Sequence, residues 1–276
     1  MKLLKAIRNM FKKKPLIVVV RLDGVIGAVS RFGSGGIDDA NTQKLMEKAF
    51  EYEKAKAIVI KINSPGGSPT QSSLIASRII KLSKDKKIPV IAFCEDVAAS
   101  GGYWLACASE EIYADVNSII GSIGVISASF GFKNLIEKIG IERRVYTAGK
   151  NKSTLDPFLD EKEEDINRLK NIQLEIHQDF IDVVEESRKE KLNKNSGIEL
   201  FSGEFWAGKK AKELGLIDGL GNADQILREK YGEEIEIKKF GKSKGWLSKK
   251  LSSSENYTDK LISLLEERSI WQRYGL

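Results

Sequence analysis

The stretch Val97-Ala-Ala-Ser-Gly-Gly-Tyr-Trp-Leu-Ala-Cys-Ala108 sets a serine between an apolar run, Ile88 to Phe93, and a short apolar helix holding Tyr103, Leu105 and Ala106. Ser100 thus falls where a strand hands over to a helix, flanked by Ala99 and Gly101. Small neighbours allow another backbone to approach. The free N–H groups of a helix's first turn favour a developing negative charge. Both features suit a nucleophilic serine. The same residues also suit a plain helix N-cap.

A serine nucleophile needs a base. The chain has a single histidine, His177, so a Ser-His-Asp scheme would have to run through it, and a His-rich metal site is excluded. His177 reads as a helix-surface residue between Ile176 and Gln178. A lysine serves as base when its pKa falls from about 10.4 through burial or nearby positive charge. Lys152 is a candidate, set among Gly149, Ser153, Leu155 and Pro157; its other reading is one exposed lysine among 45 basic residues. Acyl transfer also needs donors for an oxyanion. Asn63-Ser-Pro-Gly-Gly67 follows a strand and precedes a helix, so the Gly67 N–H, with that of Gly101, suits a two-donor hole. An ordinary strand-to-helix turn would look the same.

The surrounding pattern says what positions these residues. Leu16–Leu22, Ile58–Ile62 and Ile88–Phe93 read as strands. Helical spacing over 38–54 and from Leu74 to Leu82 fills the intervals, with a glycine-rich loop over Arg31–Gly36. Near-continuous apolar strands alternating with helices predict an α/β protein whose mostly parallel sheet is buried on both faces. Beyond the serine helix, short strands are expected at Glu111–Ala114, across Ile119–Ser127 and at Val145-Tyr146. A long amphipathic helix is expected over about 161–191, and a helix with Trp206, Ala211 and Leu214 before a glycine-bracketed turn ending at Gly221. Three parts follow: a basic amphipathic segment over 1–14, one domain over 15–240, and a linker with a last amphipathic helix over 241–276.

The net charge of +6 resides in residues 1–14, which carry six Lys/Arg and no acid. A second basic stretch, Lys238 to Lys250, holds six lysines beside Phe240, Trp246 and Leu247. Such segments suit an anionic membrane surface, and no nucleic-acid module accompanies them. The longest aliphatic run, Leu16–Val20, is far too short to span a bilayer, and no secretory signal is evident. A cytoplasmic chain, soluble or peripheral on the membrane, is expected. Cys94 and Cys107 lie in apolar surroundings and read as reduced, buried thiols.

Asp23-Gly24, Asn63-Ser-Pro-Gly-Gly67, Ala98-Ala-Ser-Gly-Gly-Tyr103, Gly121-Ser-Ile-Gly-Val125 and Gly149-Lys-Asn-Lys-Ser-Thr-Leu-Asp-Pro-Phe158 occur in this order. Together they resemble the signal peptide peptidase A (SppA) family of serine peptidases over residues 16–225. The resemblance implies a Clp protease/crotonase-like fold of repeated β-β-α units, with helical extensions at both ends. It makes Ser100 the nucleophile, Lys152 the general base, Ser122 the residue orienting that lysine, and Gly67 and Gly101 the oxyanion donors. It implies peptide substrates, apolar extended segments such as cleaved signal peptides, and neither cofactor nor metal. In short single-repeat forms it implies a homo-oligomeric ring, an octamer among the candidates, in which serine and lysine come from neighbouring subunits. Family members commonly carry a transmembrane anchor where this chain has its basic helix. Rival readings are a crotonase-type acyl-CoA enzyme, which would need neither Ser100 nor Lys152, a catalytically idle ring binding peptides or membrane partners, and a phage-type capsid maturation peptidase.

Overall fold

The computed structural model describes residues 14–27, 36–240 and 268–276. The expected basic helix over residues 1–14 (all but Lys14), most of the glycine-rich loop, and the linker with Leu261–Leu265 lie outside them.

Among the described residues one eight-stranded sheet organises the fold, with the path β6-β5-β3-β2-β1-β8. Its strands are β1 (Leu16–Asp23), β2 (Ala55–Ser64), β3 (Val90–Ala99), β4 (Glu111–Ala114), β5 (Ile119–Gly121), β6 (Phe205–Ala207), β7 (Gly219–Leu220) and β8 (Glu236–Phe240). Every pairing is parallel except β5 with β6. The connecting helices are α1 (Asp39–Phe50), α2 (Pro69–Lys86), α3 (Gly101–Ala106), α4 (Lys133–Lys138), α5 (Glu163–Arg188), α6 (Gly208–Glu213) and α7 (Ala223–Tyr231).

Strand periodicity divides the core. Val18, Val20, Ile58, Ile60 and Ile62 face one cluster, with Met46, Phe50, Ile75, Ile79, Tyr103, Phe180 and Val184 from the helices. Ile17, Val19, Ala57, Val59, Ile91 and Phe93 face the other, under Ile226 and Leu227 of α7. Burying each such aliphatic side chain contributes about 1.5–3 kcal/mol, so both faces drive the sheet together. Helix starts follow their caps. The Asp38 carboxylate accepts from Asn41 N–H before α1, and Ser68 Oγ accepts from Gln71 N–H before α2, whose first residue is Pro69.

The α/β class, the first two strands and the first two helices match the sequence expectations. Four details differ. Strand β3 runs on past Phe93 to Ala99, because its far edge changes partner: Ile91–Cys94 pair with β4, then Val97–Ala99 pair with β5. Beyond Gly121 there is no strand through Ser127. Val145-Tyr146 is not a strand either; Tyr146 is 90% exposed, and β-branched or aromatic character alone makes no strand without a neighbour to pair with. Trp206 lies on β6 rather than in a helix, because Phe205–Ala207 pair antiparallel with β5.

Residues 126–161 form an arm in which no residue is buried. It is held by its own contacts: Phe132 and Phe158 rings 5.6 Å apart, Phe132 N–H donating to Pro157 O at 2.6 Å, and Arg143 paired with Asp156 at 3.0 Å. Ile126, Phe130, Leu135, Ile139 and Ile141 are exposed along it.

Candidate active site

The parallel ladder between β3 and β5 ends with Ala99 opposite Gly121. The next residues are Ser100 and Ser122, so the ladder delivers both serines side by side at the same end of the sheet. Ser100 N–H donates to Gly121 O at 2.8 Å, and Ser100 O accepts from Tyr103 and Trp104 N–H, which starts α3. Both serines have left-handed φ, 52° and 54°. L-residues avoid that region, and such strain concentrates where a side chain must be presented at a sharp turn.

A second turn lies against the first. Asn63 anchors it: its carbonyl accepts from Gly24 N–H, its amide donates to Asp23 Oδ1 at 3.1 Å, and its Oδ1 accepts from Val97 N–H at 3.2 Å. One side chain therefore ties the ends of β1, β2 and β3, which accounts for Asp23 and Asn63 in the motif series. Gly66 packs so close to Ser100 that a Cβ on it would come within 2.7 Å of the serine Cβ. Gly67 has φ 144°, and a Cβ there would sit 2.0 Å from Ile26 O. Only glycine fits. Among the described residues the N–H groups of Gly67 and Gly101 have no backbone acceptor.

Beside Ser100 is a shallow recess, open to solvent on one side, lined by Gly67, Gly101, Trp104, Val125, Ile176 and Phe180 among others. The Trp104 and Phe180 rings stack at 4.8 Å and fix α5 against α3. It is an apolar hollow next to a hydroxyl.

Ser122 is held by its N–H donating to Glu204 O at 2.7 Å. The Tyr274 hydroxyl stands 3.3 Å from Ser122 Oγ and 3.3 Å from the accepting Pro65 O, with its ring edge on Phe205 at 5.1 Å. Lys152 occupies a turn in the exposed arm, where its N–H donates to Gly149 O at 3.1 Å. Among the described residues no hydrogen bond or ion pair joins its ammonium to Ser100 or Ser122. Within one copy the structure thus gathers Ser100, Ser122, Gly67 and Gly101, and leaves Lys152 outside.

Sequence reasoning missed three contributors. His177 is more than a helix-surface residue: it is partly buried, with Nε2 3.1 Å from Ile123 O. The recess walls, Trp104, Val125, Ile176 and Phe180, look like plain core in the sequence, and Tyr274 sits far along the chain with no local signal. Both cysteines are free and buried. Burial pushes the Cys107 thiol up to about 12 and raises Cys94 as well, so neither is a nucleophile at neutral pH. Among the described residues no group of three or more His, Cys, Asp or Glu is placed to hold a metal ion.

The arrangement sets a strained serine beside two free backbone N–H groups and an apolar hollow, in an α/β frame. Comparison narrows the class. Residues 82–236, more than half of the chain, match peptidase family S49, and the chain belongs to that family. It is 50% identical over 273 residues to a Brucella abortus protein named Na(+)/H(+) antiporter NhaA, covering 94% of this chain and 37% of that one. It is 35% identical over 219 residues to the chloroplastic serine protease SPPA of Arabidopsis thaliana, covering 76% of this chain and 31% of that one. The chain therefore spans about a third of the length of these relatives. Among solved structures it resembles a mutant of the 1510-N membrane-bound stomatin-specific protease bound to a substrate peptide, with TM-score 0.49 and 18% identity, covering 91% of this chain and 98% of that one.

Proposed function

We propose that the chain is a serine endopeptidase that cleaves extended apolar peptides, cleaved signal peptides among them, with a Ser-Lys dyad completed between copies. Ser100 Oγ attacks the peptide carbonyl while the neutral amine of Lys152, supplied by a neighbouring copy, takes its proton. Ser122 orients that amine. The Gly67 and Gly101 N–H groups receive the oxyanion, the lysine returns the proton to the leaving amine, and water then hydrolyses the acyl-enzyme. The observation that carries this reading is the left-handed Ser100, with the Gly66–Gly67 turn packed on it and an apolar recess beside it.

The exposed arm supports the sharing. Lys152 rides on a segment with no buried residue, and its apolar side chains need a partner surface. A ring of copies, each arm reaching its neighbour's serine, satisfies both. The basic stretches 1–14 and 238–250 support work beside an anionic membrane surface. Among the described residues no helix is long and apolar enough to cross a membrane.

The test is complementation. Ser100→Ala and Lys152→Ala are each expected to be inactive on apolar peptides. Mixed after dissociation and reassociation, they are expected to regain activity at about a quarter of the sites, those pairing an intact serine with an intact lysine across a head-to-tail interface. No recovery in a mixture that light scattering shows to be reassembled would rule out sharing between copies. Full activity of Ser100→Ala would rule out the nucleophile.

A further inference from the structure

The recess beside Ser100 has two walls from separate parts of the chain. Helix α5 supplies Ile176 and Phe180; the segment after Ser122 supplies Gly124 and Val125. The first wall is fixed, since Phe180 stacks on Trp104 at the root of α3. The second lies beyond the end of β5 at Gly121, so no strand pairing holds it. Two other ties act near it. One is Ser122 N–H donating to Glu204 O, on the side of β6. The other is His177, one residue from the recess-lining Ile176, whose Nε2 lies 3.1 Å from Ile123 O. A carbonyl only accepts, so this nitrogen carries the proton. The bond thus ties the chain neighbour of Ile176 on one wall to the chain neighbour of Gly124 on the other.

We infer that His177 is a specificity-determining positioning residue: it ties together the two segments that carry the recess walls, fixes their separation, and so selects compact aliphatic side chains on the residue that supplies the scissile carbonyl. The inference rests on Ser100 being the nucleophile. Without the bond, the segment at Gly124 and Val125 drifts from Ile176, aliphatic side chains lose close contact, and aromatic ones gain entry. The chemistry at Ser100 is untouched, so the change falls on KM and on the ratio between substrates. Hydrophobic pockets discriminate by loss of such contacts.

The experiment uses the full-length protein and a peptide series differing only at the residue before the cleaved bond: Ala, Val, Leu or Phe. Wild type is compared with His177→Ala, His177→Leu and His177→Gln; the glutamine amide nitrogen reaches about as far as Nε2 and restores a donor. Wild type is expected to favour Val or Leu over Phe by about tenfold in kcat/KM. His177→Ala and His177→Leu are expected to lower that preference to about threefold or less, through higher KM for the aliphatic peptides with kcat little changed. His177→Gln is expected to keep the wild-type order. Unchanged preference in a folded His177→Ala or His177→Leu protein would overturn the inference while leaving the peptidase reading intact. Failure of both to fold would make the histidine a structural residue and also overturn it. A wild type that cleaves none of the peptides would bring down the peptidase reading and this inference together.

Discussion

Ser100 and Ser122 each follow one member of a cross-strand pair, Ala99 and Gly121, and both turn left-handed there. The relationship explains why two serines far apart in the chain meet at one point: a parallel ladder that ends in register delivers them together. It also means that both positions carry strain that only glycine relieves. Ser100→Gly is therefore expected to be more stable than Ser100→Ala by about 1 kcal/mol, although both lack the hydroxyl. Thermal or denaturant unfolding of the two inactive proteins checks this.

Gly101 tests the oxyanion geometry. A Cβ there would meet Ser72 Oγ at 2.4 Å, a side-chain atom that can shift, unlike the backbone oxygen facing Gly67. Gly101→Ala is expected to fold yet displace its N–H, lowering kcat about a hundredfold, the scale for losing one oxyanion donor. Adding Ser72→Ala removes the obstructing oxygen, and kcat should recover in part. A double-mutant cycle in kcat reads the coupling.

Tyr274 occupies the hydroxyl of Ser122, which in the proposed chemistry is needed by the lysine. Tyr274→Phe keeps the ring on Phe205 and frees that hydroxyl. A gain of about two- to tenfold in kcat/KM is expected, the range of one hydrogen bond. Steady-state kinetics on a single peptide decide it.

Asp218 ties the sheet to α5. Arg188 is buried and donates to the Asp218 carboxylate at 2.8 Å and to Gly215 O at 3.0 Å, while Lys191 reaches the other carboxylate oxygen. Burial works to raise the Asp218 pKa, but the bonds from Arg188, Lys191 and Ile112 N–H outweigh it and hold the pKa below the usual carboxylate value. A depressed folded pKa contributes stability above the unfolded value, about 4, and loses it as pH falls through the folded one. Asp218→Asn is expected to destabilise the protein by about 3–5 kcal/mol near neutral pH, because Arg188 stays buried without its partner. The gap to wild type should narrow below about pH 4. Chemical denaturation across pH 3–8 measures it.

The sheet was legible because its information is local: Leu16–Val20, Ile58–Ile62 and Ile88–Phe93 are runs that only a strand buried on both faces explains. That Gly67 and Gly101 lie at close-packed turns was legible for a similar reason, since tight turns restrict residue type. His177 was misread because its helix face is set by what packs on it, and Ile123 O belongs to a segment with no periodicity of its own. Val145-Tyr146 was misread because strand propensity needs a neighbour the arm does not have. The Trp104–Phe180 stack and the Tyr274–Ser122 contact join residues far apart in the chain, and nothing local to either partner announces the other.

The uncovered apolar arm bears on how the protein behaves when scarce. If each reaction centre is assembled from two molecules, a dilute solution would contain every chemical group in intact form and still turn over nothing. Output per molecule would climb with abundance, so the rate of synthesis would act as the dial. A freshly made chain would be harmless to its surroundings until enough of its kind had gathered.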